Sequence, residues 1–235
     1  MINIFFKEEL TMREIIKVSL VIFDMDGLMF DTERIGISAW QKAGEDFGVD
    51  ISPTIVIESL GLNINGTEKV FKKYFGNEFP FHDIRKLEVN YTIKIIEDKG
   101  IPVKNGLYDL INFLGQKGIM KAVATSTERT RAEKYLELAG IKDKFDTIIC
   151  GDEINQGKPN PDIFLEAAKR LDCIADECLV LEDSENGIKA AHNANMYPIL
   201  IPDIKRPSED VRKLVYKEFN SLIDVRDFLI QNGTE

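Results

Sequence analysis

Short apolar runs recur along the chain and alternate with amphipathic stretches. The first, Val18–Phe23, is rich in β-branched residues and nearly continuous, the pattern of a strand buried on both faces. Runs at Met120–Ala124, Thr147–Cys150, Leu179–Leu181 and Ile199–Ile201 predict further strands. Between them, Tyr108–Lys117, Thr130–Ala139, Pro161–Arg170 and Glu185–Ala194 are amphipathic and predict helices. Strand alternating with helix points to an α/β fold, a Rossmann-like parallel sheet covered on both sides. Gly118, Gly140 and Gly151 fall at the joints, where glycine stops a helix or turns a loop. The alternation breaks once. From about Gly36 to Gly100 the pattern is helical, over Ser38–Phe47, Ile55–Leu60, Thr67–Phe75 and His82–Asp98. The expected organisation is a core of residues 17–35 and 101–235, with residues 36–100 inserted after the first strand as a helical cap. Residues 1–16 form an extension without an assigned place, in which Met12 would serve equally as an internal start. Pro207–Ile230 reads as a closing strand or helices.

Composition narrows the function more by exclusion than by identification. The chain has 235 residues, long for one typical domain and short for two, as an interrupted domain would be. Its 30 basic and 40 acidic side chains leave a formal charge of −10, which disfavours nucleic acid and anionic membrane surfaces as partners. No apolar run approaches the roughly 20 residues that span a bilayer, and charges interrupt the N-terminal apolar stretch as they would not in a signal peptide. Cys150, Cys173 and Cys178 form no CxxC pair, so free thiols in a reducing cytoplasm are expected. Two histidines, His82 and His192, are too few for a histidine-rich metal site, and a monomer is expected.

Candidate chemistry collects at one edge of the predicted sheet. Ligands bind at the carboxyl ends of strands in open parallel sheets. There the first strand runs into Asp24-Met25-Asp26-Gly27, the second into Thr125-Ser126-Thr127, and the fourth into Glu182-Asp183-Ser184. Lys158 follows the third strand, in Gly157-Lys158-Pro159-Asn160-Pro161-Asp162. Any one of these is ordinarily a turn former, a helix cap or a solvated charge. Their joint placement argues for a site.

Four ordered segments, FDMDGLMFDTE (residues 23–33), ATST (124–127), GKPNPDIF (157–164) and LEDSENGIKAA (181–191), resemble the motifs of the haloacid dehalogenase superfamily. The likeness is to its branch with a small helical cap, the phosphatase and β-phosphoglucomutase-like group. That resemblance implies Asp24 as the nucleophile toward phosphorus, a role suited to a carboxylate that is ionised at neutral pH. It implies Asp26 as general acid and base, protonated when substrate is bound, and Thr125, Ser126 and Lys158 as holders of the phosphoryl oxygens. Up to four carboxylates against one lysine call for a hard divalent cation, and oxygen ligation suits Mg²⁺. The implied ligands are the Asp24 carboxylate, the Asp26 backbone carbonyl and the Asp183 carboxylate, with Glu182 ligating directly or through water.

The expected function is a Mg²⁺-dependent phosphatase acting on a small phosphorylated metabolite, a sugar, polyol or nucleotide phosphate. A phosphosugar mutase is the alternative. Mutases of this branch carry a histidine four residues after the Thr32 position, where this chain has Gly36, and a cap arginine that the loop Gly61–Thr67 lacks, although Lys69 lies just beyond. A binding protein without turnover is a third reading, and the retention of Asp24, Asp26 and Lys158 counts against it. Asn195 and Asn105-Gly106 depart from the family's turn residues. Asp31 and Thr32 are expected to cap or hinge the first helix of the insert, Trp40 and Cys150 to be core, and His192 to be structural. The loop Gly61–Thr67 is placed to close over the site or to connect two helices.

Overall fold

The computed structural model describes residues 17–231; the extension at 1–16 lies outside them. The chain opens on β1 (Leu20–Phe23), passes through four helices, α1 (Thr32–Asp46), α2 (Pro53–Ser59), α3 (Ile64–Phe75) and α4 (Phe81–Lys99), and then returns to the sheet layer. There follow α5 (Leu107–Gln116), β2 (Met120–Ala124), α6 (Arg129–Leu138), β3 (Thr147–Ile149), α7 (Asp162–Arg170), β4 (Cys178–Glu182), α8 (Glu185–Asn193) and β5 (Tyr197–Leu200). The described part closes with α9 (Glu209–Arg212), β6 (Lys217–Glu218) and α10 (Leu222–Gln231).

The six strands form one parallel sheet in the order β3-β2-β1-β4-β5-β6. β1 is central, and its alternation explains its unbroken apolar run. Val21 and Phe23 face one core cluster with Leu107, Leu110 and Leu229, whereas Leu20 and Ile22 face another with Phe164, Ala190 and Ala191. Both sheet faces are therefore covered by helices, and no position on β1 can be polar without burying that polarity. The sheet reverses direction of winding at β1, which places the carboxyl ends of β1, β2 and β4 around one crevice.

The insert has a core of its own, built from Trp40, Ile55, Val56, Phe71, Phe79, Phe81 and Ile84. Trp40 is buried as expected, its ring 4.3 Å from Phe71 and 5.7 Å from Phe81. Two boundaries differ from expectation. α1 starts at Thr32, not Ser38, and runs straight through Gly36, whose low helix propensity is outweighed by packing against α4. The expected loop Gly61–Thr67 is only half a loop: Asn63 accepts a hydrogen bond from the Gly66 N–H (2.9 Å) and starts α3 at Ile64. Gly118 and Gly140 adopt positive φ at the joints, and so does Asn195 at +55°, a conformation Asn tolerates. Gly151 serves differently, since a Cβ there would stand 2.2 Å from the Ser126 carbonyl oxygen.

Candidate active site

Asp24 is the first residue beyond β1, and its N–H donates to the Leu181 carbonyl of β4 (3.0 Å). This backbone bond sets Asp24 beside Glu182 and Asp183 at the end of the neighbouring strand. One carboxylate oxygen from each of Asp24, Glu182 and Asp183 lies within 4.8 Å of the others, and all three residues are buried. The chain can approach so closely because Gly27 turns with φ +83°; a Cβ there would lie 2.3 Å from Asp183 Oδ2. Gly187 makes the corresponding room on the other side, where a Cβ would fall 1.8 Å from the Glu182 carboxyl carbon.

Lys158 enters this floor from the loop after β3. Its ammonium donates to Asp24 Oδ1, to Glu182 Oε1 (2.6 Å) and to the Ala124 carbonyl (3.0 Å). All three ammonium donors are thereby used. Burial opposes the lysine charge, but Asp24 and Glu182 outweigh it and raise Lys158 above an ordinary lysine. Asp24 is pushed up to about 7, first by burial and then by the negative charges of Glu182 and Asp26, against the pull of Lys158. Burial also pushes Asp183 well above the usual carboxylate range, helped by Glu33, Asp24 and Glu182. Glu182 accepts additionally from the Ser184 hydroxyl (2.9 Å). It is the most enclosed of the group, with 0% exposure, and does not line the cavity.

Asp26 stands apart from this cluster. Its carboxylate accepts from the Thr32 hydroxyl (2.6 Å) and the Thr127 hydroxyl (2.7 Å). Asp31 and Thr32 are expected to cap or hinge the first helix of the insert; Asp31 stands at the helix start but makes no capping bond and accepts from Arg34 (2.6 Å), while Thr32 bonds Asp26. Thr125 and Ser126 both line the cavity, and Thr125 Oγ1 accepts from the Thr127 N–H (3.1 Å), which shapes the turn after β2. Cys150 is buried as expected, while His192 is exposed in the last turn of α8.

The floor opens into a cavity of about 910 Å³ between the sheet edge and the insert. This exceeds the needs of a phosphate alone and suits a small metabolite. Sequence reasoning missed several of its residues. Thr127 and Thr32 lay inside quoted motifs, and adjacency to a strand end was the available signal. Glu33 follows Thr32; burial, Asp203, Asp26 and Asp24 push its carboxyl up to about 8. Glu88 and Arg131, on α4 and α6, had no local signal at all.

Residues 21–201 match the model of the haloacid dehalogenase-like hydrolase family, and the chain belongs to that family. It is 27% identical over 176 residues to a phosphorylated carbohydrates phosphatase of Thermotoga maritima, covering 75% of this chain and 81% of that protein. It is 29% identical over 196 residues to hexitol phosphatase B of Escherichia coli, covering 79% and 84%. Among solved structures, it resembles β-phosphoglucomutase from Clostridium difficile, with a TM-score of 0.74 at 25% identity over 91% of this chain and 96% of that one. Among the described residues, no helix is long and apolar enough to cross a membrane.

Proposed function

We propose that the protein is a Mg²⁺-dependent phosphatase that hydrolyses a small phosphorylated metabolite through an aspartyl-phosphate on Asp24. The observation that carries this reading is the floor itself: a buried Asp24 carboxylate bonded to Lys158, with Asp183 and Glu182 within 4.8 Å. Three crowded carboxylates, two of them with raised proton affinity, form an all-oxygen donor set that a hard cation would relieve. Asp24 and Asp183, with the Asp26 backbone carbonyl, are assigned to hold it. When bound, Mg²⁺ supplies positive charge against the phosphoryl oxygens. Glu182 is given to Lys158 and Ser184, so its part is to fix the lysine.

The steps belong to the chain's own groups. Thr125 and the Ser126 N–H bind the phosphoryl oxygens, and Lys158 exchanges one of its present bonds for a phosphoryl oxygen, so that together they orient phosphorus toward Asp24. An Asp24 oxygen attacks phosphorus as the ester P–O bond breaks, and Asp26 gives its proton to the leaving oxygen. Water then attacks the phosphoryl group, Asp26 takes its proton, and the Asp24–phosphorus bond breaks to release phosphate. Thr32 and Thr127 hold Asp26 in line for both transfers. The insert, residues 36–100, is assigned the part of a cap that excludes water while the acyl-phosphate stands. The two phosphatases named above as relatives support this reading.

An acid quench during turnover of a ³²P-labelled phosphomonoester tests it. Label is expected on the wild-type protein, dependent on Mg²⁺, and absent from Asp24→Asn. Steady-state turnover by a folded Asp24→Asn protein would overturn the nucleophile. A phosphosugar mutase is the second reading, favoured by the backbone likeness to β-phosphoglucomutase. Interconversion of glucose phosphates with a bisphosphate primer, faster than phosphate release, would establish it instead.

A further inference from the structure

Next to Asp26 the cavity wall carries charge that the reaction steps do not use. Glu88 and Thr92 come from α4 of the insert, and Arg131 and Tyr135 from α6 of the sheet layer; all four line the cavity. The Thr92 hydroxyl donates to Glu88 Oε1 (2.9 Å), which leaves the other carboxylate oxygen without a bond among the described residues. Arg131 Nε is shut off from solvent and has no partner. The terminal amino groups of Arg131 are not shut off in this way and make no hydrogen bond or ion pair among the described residues, so they are free to donate into the cavity that Arg131 lines. Phe30 bridges Asp26 through the backbone and stands ring to ring with Tyr135 (6.5 Å), and Asp26 lines the same cavity, which sets this group on the Asp26 side of it. That is where the leaving oxygen, and the carbon chain it carries, must lie.

We infer that Glu88 and Arg131 read hydroxyl groups of the leaving alcohol, selecting phosphorylated polyols or sugars with a hydroxyl pair near the phosphoester. This rests on the phosphatase reading. A hydroxyl is at once donor and acceptor, and the wall offers it both: the Glu88 carboxylate to receive its proton and the Arg131 guanidinium to donate to its oxygen. A second phosphate or a carboxylate would need donors alone; Arg85 and Lys86 on the same lining supply such donors, but Glu88 would repel an anion placed against Arg131. A nucleobase would need a free aromatic face, whereas of the Trp and Tyr rings on the cavity lining Trp40 is committed to Phe71 and Phe81 and Tyr135 is buried edge-on to Phe30. Gly36 keeps the path open. It has no side chain, and even a Cβ there would stand 4.0 Å from Glu88 Oε1.

The test compares kcat/KM on a hexitol phosphate with that on hexyl phosphate, which has the same chain length and no hydroxyl. Wild-type protein is expected to prefer the hexitol phosphate. Arg131→Met and Glu88→Gln are each expected to reduce that preference by about 10- to 100-fold, chiefly through KM. An undiminished preference, or a loss confined to bisphosphates or nucleoside monophosphates, would overturn the inference. Circular dichroism and melting of both variants identify any loss that follows from misfolding, and the conservative Arg131→Lys, keeping the charge and one donor nitrogen, is expected to restore part of the preference. Binding of the two phosphates to Asp24→Asn by calorimetry provides a readout without turnover. If wild-type protein hydrolyses neither phosphate, the phosphatase reading fails. The calorimetry then decides hydroxyl reading by itself: tighter binding of the hexitol phosphate that Arg131→Met abolishes supports it, and equal binding overturns it.

Discussion

The floor of the cavity and the wall beside Asp26 hold their charges in different ways. On the floor, Asp24, Lys158, Glu182 and Asp183 come from the loops at adjacent strand ends, and each is bonded or crowded by another charged group. On the wall, Glu88 comes from α4 of the insert and Arg131 from α6 of the sheet layer, and donors or acceptors there stand without partners among the described residues. On the proposed reading, the floor is arranged for one kind of group, the tetrahedral phosphoryl oxygens common to all phosphomonoesters, and the wall for what differs among them. The chemistry that must not vary would then be built on the sheet edge, and selection where the insert meets it.

Removing the lysine from the floor should have the largest effect. Lys158→Met leaves Asp24 and Glu182 buried without their cation, and breaking a buried pair in this way costs about 3–5 kcal/mol. Chemical denaturation in EDTA should show that loss, and phosphate release should fall by at least about 10³-fold. Glu88→Gln on the wall keeps the shape and the Thr92 contact, and should cost less than about 1 kcal/mol. Equal destabilisation by the two substitutions would erase the distinction between floor and wall.

The same distinction decided what could be read from the sequence. β1 announces itself because Leu20 and Ile22 face one core and Val21 and Phe23 the other, leaving no polar position in the run. Once the strand ends are known, Asp24, Asp26, Thr125, Lys158 and Asp183 fall on one edge with no need of side-chain geometry. The bond from the Thr32 hydroxyl to Asp26 was not legible, because Asp31-Thr32 before a helix has the local chemistry of a cap. The start of α1 was obscured by Gly36, whose poor propensity is offset only by a helix far along the chain. Glu88 and Arg131 are two more charged residues on amphipathic helices. Only tertiary packing sets them beside Asp26.

Glycine substitution gives the next effect and separates crowding from charge. Gly187→Ala would drive a methyl group into the Glu182 carboxyl, 1.8 Å from its carbon, in a helix whose backbone has little room to retreat. Overpacking of this kind costs about 1–3 kcal/mol. Because Glu182 holds Lys158, the variant should lose activity out of proportion to its stability, read by melting temperature alongside phosphate release. Gly115→Ala, where a Cβ meets nothing within 4 Å, is the control and should be neutral or stabilising.

A smaller effect comes from pH, and its sign follows from the floor. Asp24 is raised from 3.8 to about 7 and Glu33 from 4.5 to about 8, so the folded protein without metal binds more protons than the unfolded chain between those values. Stability therefore falls as pH rises across that window. In EDTA the melting temperature should be higher at pH 5.5 than at pH 8. Cation binding at the floor must displace those protons, so Mg²⁺ should raise the melting temperature more at pH 8 than at pH 5.5. A melting temperature that rises with pH in EDTA would show that burial does not govern these carboxyls.

The smallest expected effect lies where insert and sheet layer touch. The Asn186 amide donates to the Gly61 carbonyl (2.6 Å), Lys205 donates to the Glu58 carbonyl (3.2 Å), and Lys134 pairs with Glu97. All three bonds are exposed, so each contributes at most about 1 kcal/mol and none determines the fold. Asn186 is the most informative, because Gly61 has φ +74° and its Cβ position lies 3.2 Å from Ser184, next to the floor. Asn186→Ala should leave the melting temperature nearly unchanged, since floor and insert each keep their own core. It should raise KM by about two- to fivefold, through a cap held shut less of the time, while acid-quench labelling of Asp24 still occurs. A fall in kcat with KM unchanged would place the Asn186 bond with the floor, as part of the apparatus that aligns Ser184 and Glu182 under Lys158, and would move the border between the two regions outward by one residue.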